Sequence, residues 1–312
     1  MRVLVTGATG SAGRAILRNL LTIGSGSLVG TYRSEPSPEF FAEFAVPLAD
    51  GRLQLLRQDL AELAPDQGPD VEAVVHCAAR RPASRCASDP AATTRDNVEA
   101  VRRLVEWSRR RGVGLFIHFS IHSVYAAGRP PYREADPVRA TDLQVAAKLE
   151  SEQIVTEGLG DEVRHLILRL PHFYGIELPC DGVIAAFARG AKHGELRLSG
   201  NGEQTVCFIE LRDLATLITA LLEDPPPSGI YNAASETIQV RSLAECFQKA
   251  WREQGNPEPV LRIEGGTQPP GFGLDSGKLF AASSWRPKHC IDERIRVLAA
   301  SLAVAPGPRK QT

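Results

Sequence analysis

The sequence predicts an α/β protein with a doubly wound parallel sheet and a smaller C-terminal α+β lobe. Three observations support this prediction. Short apolar runs without in/out alternation recur through the first half, as expected for strands that are covered on both faces. Amphipathic stretches separate these runs, and a glycine-rich loop follows the first of them. Strands that alternate with helices favour right-handed βαβ crossovers, and therefore a parallel sheet.

The elements of the sheet follow from these patterns in chain order. Predicted strands lie at Val3–Thr6, Leu28–Tyr32, Leu53–Arg57, Val71–Cys77, Gly114–Phe119 and His165–Leu170. Helices are predicted where apolar residues recur every three or four positions, at Ala15–Leu21, Asn97–Arg111 and Asp142–Glu157.

After Pro171 the pattern changes, because Gly and Pro become frequent. Helical runs remain at Gly182–Lys192, Leu211–Leu222 and Ser242–Glu253. We therefore predict a sheet domain over 1–170, a lobe over 171–303 that is interleaved with the core sheet, and a frayed tail over 304–312.

Composition narrows the possible functions. The 312 residues include 36 Lys and Arg against 37 Asp and Glu, a net charge of −1 that gives no global field for nucleic acid or an anionic membrane. No apolar run approaches the length of a membrane span, and the four-residue N-terminal run is too short for a signal peptide. The six cysteines, Cys180 among them, are scattered without metal-ligand spacing. We expect reduced thiols, a cytoplasmic location and no bound metal.

The loop from Thr6 to Gly13 predicts a dinucleotide site. Glycines allow the sharp turn and the close approach of a pyrophosphate, and the following helix offers free N–H groups and the positive end of its dipole. Arg33 and Ser34, at the end of the second strand, suit a ribose 2′-phosphate. We therefore favour NADP, although Glu35 close by leaves NAD open.

A series of further motifs spans residues 1–300. They are Gln58-Asp59-Leu60, Val74–Ala79, Asn97-Val98, Ser123-Val124-Tyr125, Lys148 with Glu152, Arg169-Leu170-Pro171, Gly200–Gln204, Arg212–Ala215, Tyr231-Asn232-Ala233 and Trp285-Arg286-Pro287. Together they resemble the extended subfamily of the short-chain dehydrogenase/reductases, which contains nucleotide-sugar epimerases, dehydratases and reductases.

The resemblance implies a Rossmann-like sheet domain and a C-terminal substrate lobe. It also implies a homodimer through the helices Asn97–Arg111 and Asp142–Glu157. With the glycine loop and the second strand, it assigns cofactor contacts to Gly7, Thr9, Gly10, Ser11, Ala12, Gly13, Arg33, Ser34, Asp59, Leu60, Cys77, Ala78, Ala79, Asn97, Lys148, Leu170 and Pro171.

Two catalytic positions depart from the family pattern. Similar proteins carry a tyrosine four residues before the lysine, where the ammonium lowers the phenol pKa so that it can exchange a proton. Gln144 stands there, and an amide can donate a hydrogen bond but cannot titrate. The Ser or Thr that orients the substrate oxygen is replaced by Ile121.

Neighbouring positions offer other groups. His122 and Ser123 replace an acid/base pair of the dehydratase branch, and an imidazole with a pKa near 6.5 would serve as a general acid. Val206 stands where an Arg clamps the diphosphate of nucleotide sugars, which argues against such a substrate. His172 replaces a substrate-side Asn. We therefore predict substrate-side positions at Ile121, His172 and Val206, and catalytic candidates at His122, Ser123, Gln144 and Lys148.

Three functions remain open on the sequence. The first is a non-standard oxidoreductase, epimerase or dehydratase that acts on a small biosynthetic intermediate. The second is a non-catalytic cofactor-binding sensor or scaffold subunit. The third is a non-redox cyclase or lyase on the same scaffold.

Overall fold

The computed structural model describes residues 1–24, 26–125, 129–175, 182–265 and 271–304. Its central layer is a seven-stranded parallel sheet. The strands of this sheet are β1 (Val3–Thr6), β2 (Leu28–Tyr32), β3 (Leu53–Arg57), β4 (Ala73–His76), β5 (Leu115–Ile121), β6 (Arg164–Leu170) and β10 (Gly229–Asn232). Their spatial order is β10-β6-β5-β4-β1-β2-β3.

The remaining strands form two small sheets in the C-terminal lobe. The first joins β7 (His172–Tyr174), β9 (Thr205–Glu210) and β11 (Glu236–Gln239), with β9 in the middle. The second pairs β8 (Glu195–Ser199) with β12 (Val260–Glu264) in parallel.

Twelve α-helices lie in the described part of the chain. They are α1 (Ser11–Ile23), α2 (Pro38–Glu43), α3 (Ala45–Ala49), α4 (Ala83–Ser88), α5 (Pro90–Thr94), α6 (Ala100–Arg110), α7 (Leu143–Leu159), α8 (Val183–Lys192), α9 (Leu211–Glu223), α10 (Val240–Glu253), α11 (Gly277–Ala282) and α12 (Ile291–Val304). A π-helical turn, Arg95–Glu99, joins α5 to α6. No described helix has both the length and the apolar composition needed to cross a membrane.

Both faces of the central sheet are buried, which explains why its strands are apolar without alternation. Val3 and Val5 of β1 pack into the same core as α1 and α9, while Leu4 points into the core on the side of α6 and α7. Because successive side chains of a strand point to opposite faces, a strand between two helical layers needs apolar residues at every position. A third apolar core lies between α8, α10, α12 and the small sheets.

The predicted fold class is confirmed, and strands β1 to β3 have the predicted bounds. The helix predicted at Asn97–Arg111 is instead divided between the π turn and α6. The seventh strand was not predicted: β10 comes from the C-terminal part, pairs with β6 and extends the sheet that 1–170 begins. The tail predicted at 304–312 lies outside the described residues except for Val304, and so does Cys180.

A buried ion pair joins α7 to the central sheet. Glu152 and Arg169 have side chains that are only 7% and 4% exposed, and they meet through two hydrogen bonds of 3.1 and 2.7 Å. The Arg169 guanidinium also donates to the Tyr125 hydroxyl at 2.9 Å, and this hydroxyl donates to Asn232 Oδ1 at 2.8 Å. The network therefore connects α7, β6, β10 and the turn that follows β5.

We expect Glu152→Ala to destabilise the protein by about 3–5 kcal/mol, because it leaves the Arg169 charge buried without its partner. Glu150→Ala on the same helix is the matched control. Glu150 is exposed and lies 3.6 Å from Arg102, so its loss should change stability by less than about 0.5 kcal/mol. Urea unfolding of the three proteins measures both values, and equal stabilities of the two variants would contradict the assignment.

Candidate active site

The glycine loop between β1 and α1 lets other atoms approach its backbone closely. Gly7 has φ +64°, and a Cβ on it would lie 2.9 Å from Ala78 Cα. A Cβ on Gly13 would lie 2.3 Å from the Gly7 carbonyl oxygen. Helix α1 begins at Ser11, and its N-cap residue Gly10 provides no side-chain acceptor for the N–H groups of the first turn, which have no acceptors within the helix. This combination provides a cradle for an anionic group.

Two cavities flank this loop at the carboxyl edge of the sheet. The first, which we call the arginine pocket, has a volume of about 220 Å³ and is lined by Thr9, Arg33, Ser34, Gln58, Asp59, Leu60, Arg80 and Asp96. The second, the lysine pocket, measures about 210 Å³ and is lined by Gly10, Ser11, Ala12, Gly13, Cys77, Arg81, Ser120, Ile121, Gln144, Lys148 and Phe173. Gly7, Ala78 and Ala79 line both, so the pockets meet at the loop.

The paired pockets suit the two halves of a nicotinamide dinucleotide. A pyrophosphate at the loop would face the uncapped start of α1, and each pocket would receive one nucleoside. The arginine pocket lies at the end of β2, where Asp59 and Leu60 complete its wall. Of the cofactor contacts implied by the resemblance, all but Asn97, Leu170 and Pro171 line one of the two pockets.

Asn97 instead supports the arginine pocket from behind. Its side-chain amide accepts a hydrogen bond from Arg80 N at 2.7 Å and donates one to Arg80 O at 3.0 Å. It therefore fixes the main chain just after Ala78 and Ala79. Leu170 and Pro171 are buried, and Leu170 packs into the apolar core under α9.

Lys148 is the central polar group of the lysine pocket. It lies on α7, is only 5% exposed, and its Nζ donates to the Phe119 carbonyl oxygen at 2.7 Å. Burial lowers the Lys148 pKa to about 8, although the nearby Glu152 carboxylate acts in the opposite direction. Gln144 lies one helical turn earlier and lines the same pocket. The structure thus brings together the two α7 residues that the sequence selected.

Ile121 also lines the lysine pocket, at the end of β5. The neighbouring Ser120 has a hydroxyl, but this hydroxyl donates to Glu152 Oε1 at 2.5 Å. The Ser120 hydroxyl is therefore part of the buried ion-pair network. Cys77 lines the pocket as well, and burial raises the pKa of its thiol well above its ordinary value, so it stays protonated.

The burial and protonation state of His122 differ from the prediction. It is 9% exposed and packs edge-on against His172 and Phe272, and its Nδ1 donates to the Leu170 carbonyl oxygen at 3.3 Å. Burial lowers its pKa to about 3, and the nearby His172 contributes in the same direction. The expectation of an imidazole that titrates near neutrality is therefore corrected: the ring is neutral at pH 7. His122 and the half-buried Ser123 lie in a short turn outside the lining of the two pockets.

The predicted substrate-side residues His172 and Val206 lie in different surroundings. His172 is exposed at the start of β7, with its ring 4.7 Å from that of His122. Val206 is 8% exposed and packs in the apolar core of the lobe, opposite Ile238 in the β9–β11 pair. This placement corrects the expectation that Val206 is a substrate contact, because the valine side chain packs in the lobe core and offers no polar group to a ligand.

Several residues of the two pockets were not predicted from the sequence. Arg80, Arg81, Asp96 and Phe173 line them. In the sequence, Arg80 and Arg81 form a short charge run of the kind that is usually solvated. They directly follow the predicted cofactor residues Ala78 and Ala79, and this position could have identified them. Among the described residues, no group of His, Cys, Asp and Glu side chains could hold a metal ion.

The chain matches the model of the NAD dependent epimerase/dehydratase family over residues 3–234. It is 32% identical over 290 residues to methionine adenosyltransferase 2 subunit beta of Pongo abelii, covering 89% of this chain and 81% of that protein. It is 35% identical over 163 residues to dTDP-4-dehydrorhamnose reductase of Burkholderia thailandensis, but that alignment covers 52% of this chain and only 47% of the reductase.

Among solved structures, the fold is similar to that of UDP-glucuronic acid 4-epimerase from Bacillus cereus in complex with UDP-glucuronic acid and NAD. The TM-score is 0.82, and the match covers 97% of this chain and 99% of the epimerase at 18% identity. A similarity at this identity describes the fold. The family model matches most of the chain, and the glycine cradle and the two pockets agree with that match. This chain therefore belongs to the NAD dependent epimerase/dehydratase family.

Proposed function

We propose that the protein binds NAD(P), with NADP favoured, and acts as a reductase-type enzyme in which Lys148 supplies the substrate's proton. The observation that supports this most directly is that Lys148 and Gln144 line the same pocket, next to the glycine cradle. The resemblance of the motifs to extended dehydrogenase/reductases supports the same cofactor.

The proposed chemistry follows from the ionisable groups in the lysine pocket. When bound, a reduced nicotinamide supplies hydride. Cys77 stays protonated, and an arginine such as Arg81 does not give up its proton in proteins. Lys148, with a pKa of about 8, is left as the group among the described lining residues that can give a proton near neutrality.

The hydrogen-bonding groups around Lys148 suit its role as the proton donor. One of its three N–H bonds is used by the Phe119 carbonyl, so two remain for a substrate oxygen or a ribose hydroxyl. The Gln144 amide can donate a hydrogen bond that orients the same substrate oxygen. As the proton leaves Lys148, the buried amine becomes neutral, which burial favours.

We further propose a small carbonyl compound as substrate, rather than a typical nucleotide-diphosphate sugar. Val206 stands at the position of the diphosphate-binding Arg and is buried in the lobe core. An apolar side chain provides neither the charge nor the paired donors that a diphosphate requires.

A second candidate function is a cofactor-binding subunit without catalysis. Gln144 and Ile121 replace the proton donor and the orienting hydroxyl of the family pattern, and one relative is named as a subunit of an adenosyltransferase. In this case the dinucleotide would bind with no carbonyl turnover.

We also propose a homodimer through α6 and α7. These helices pack on each other, and residues of both, including Arg102, Val105, Glu106, Ile154 and Glu157, line one cavity. Light scattering should give twice the chain mass of 33.8 kDa at micromolar concentration, and a monomer mass would contradict the proposal.

Binding is tested first at the cradle. We expect Gly13→Ala to lower the affinity for NADPH at least about tenfold, because the new Cβ would displace the Gly7 carbonyl that shapes the loop. Gly114→Ala is the matched control, since its Cβ would meet Glu72 O at an ordinary 3.5 Å. Fluorescence titration measures both affinities. Unchanged NADPH affinity in folded Gly13→Ala would exclude the loop as the site.

The role of Lys148 predicts a pH dependence. Since reduction needs the ammonium form, the rate of NADPH oxidation should be constant below the Lys148 pKa of about 8 and fall about tenfold for each pH unit above it. Lys148→Met should abolish turnover, whereas Lys249→Met, at an exposed position on α10, should not. The assay uses a panel of small aldehydes and ketones.

The outcomes separate the two candidate functions. A rate that stays constant up to pH 10 would exclude Lys148 as the proton donor. NADPH binding without oxidation by any carbonyl in the panel would favour the non-catalytic subunit.

A further inference from the structure

The arginine pocket contains a carboxylate that faces three guanidinium groups. Asp96 Oδ1 lies 2.5 Å from Arg33 Nη1 and 3.4 Å from Arg95 Nη1, and Oδ2 lies 3.8 Å from Arg80 Nη1. The Asp96 side chain is 8% exposed and lines the pocket, while that of Arg33 is 47% exposed. The π turn Arg95–Glu99 places Asp96 there, directly before the Asn97 that holds the Arg80 main chain.

The second carboxylate of this pocket, that of Asp59, has other partners than Arg33. Asp59 accepts hydrogen bonds from Arg95 Nη2 at 2.7 Å and from Ala61 N at 3.1 Å. Its direct partners are therefore Arg95 and the short turn that starts at Leu60. Among the described residues, the direct ion pair of Arg33 is with Asp96.

The ion pair between Arg33 and Asp96 affects how the pocket distinguishes a dinucleotide with a 2′-phosphate from one with a 2′-hydroxyl. A ribose 2′-phosphate is a phosphate monoester that carries about −1.5 to −2 charge at pH 7, and an arginine fork binds it strongly. A carboxylate 2.5 Å from that fork neutralises it and repels the phosphate. A 2′-hydroxyl is uncharged and loses nothing from the presence of the carboxylate.

We propose that Asp96 is a specificity-determining residue: it partly neutralises Arg33, so that the arginine pocket favours a 2′-phosphate only weakly and also accepts dinucleotides without one. The inference rests on the proposed binding of NAD(P). Removing the Asp96 charge should release Arg33 for the phosphate and convert an accommodating pocket into a selective one.

The test is a pair of titrations with NADPH and NADH, followed by protein fluorescence. In Asp96→Asn the amide oxygen can still accept from Arg33, so the position of the fork is kept while the charge is lost. NADPH affinity should rise about tenfold, and NADH affinity should change by less than about threefold.

Glu62→Gln is the matched control. Glu62 also pairs with an arginine of this cluster, Arg95 at 2.9 Å, but it is 74% exposed and lies outside the lining of the pocket. Its NADPH-to-NADH affinity ratio should equal that of the wild type. Arg33→Gln in the Asp96→Asn background should remove the gain in NADPH affinity, because the two residues act as a coupled pair.

The results distinguish this inference from the proposed function. If the wild type binds both cofactors and Asp96→Asn leaves their affinity ratio unchanged or shifts it toward NADH, Asp96 does not set specificity, while NAD(P) binding stands. If the wild type binds neither cofactor, the proposed function and this inference both fail. Thermal melting establishes that each variant is folded before titration.

Discussion

The buried ion pair between Glu152 and Arg169 is the contact on which the arrangement of the cleft depends. It anchors α7 to β6 with both side chains almost fully buried. Lys148 lies one turn before Glu152, so the same contact fixes the position of the ammonium in the lysine pocket. Glu152 also affects the charge of Lys148. Burial lowers the Lys148 pKa, and the Glu152 carboxylate makes this decrease smaller. The Tyr125–Asn232 extension ties this helix to the strand that the C-terminal part contributes.

The two pockets use charge in different ways. In the arginine pocket, guanidinium groups and carboxylates are paired before any ligand arrives, and an anionic ligand must compete with Asp96 for Arg33. In the lysine pocket, the ammonium bonds to a backbone carbonyl, and its partially depressed pKa makes proton release possible near neutrality. In the function that we propose, binding selectivity and proton chemistry thus belong to separate ends of one cleft, with the glycine cradle between them.

Loss of the family's phenol changes the demands on the rest of the site. An amide at Gln144 can orient a substrate oxygen but has no proton to exchange, so any proton transfer falls to Lys148. His122 does not share this task as an imidazolium acid, because apolar and aromatic surroundings keep it neutral. The turn after β5 therefore contributes packing through His122 and hydrogen bonds through Tyr125. The cleft wall at this point is formed by the apolar Ile121, the last residue of β5.

The sequence by itself determined the layered fold, the glycine cradle and the shared face of Gln144 and Lys148. These features depend on local periodicity and spacing: a continuous apolar run specifies a strand covered on both faces, and two residues four apart on a helix lie on the same side. Only the tertiary structure decided the rest. The burial of His122 and Val206, the pairing of Arg33 with Asp96 and the entry of β10 into the sheet all join residues distant in sequence. A side chain's pKa and its access to a ligand depend on what packs around it, and no pattern along one segment contains that information.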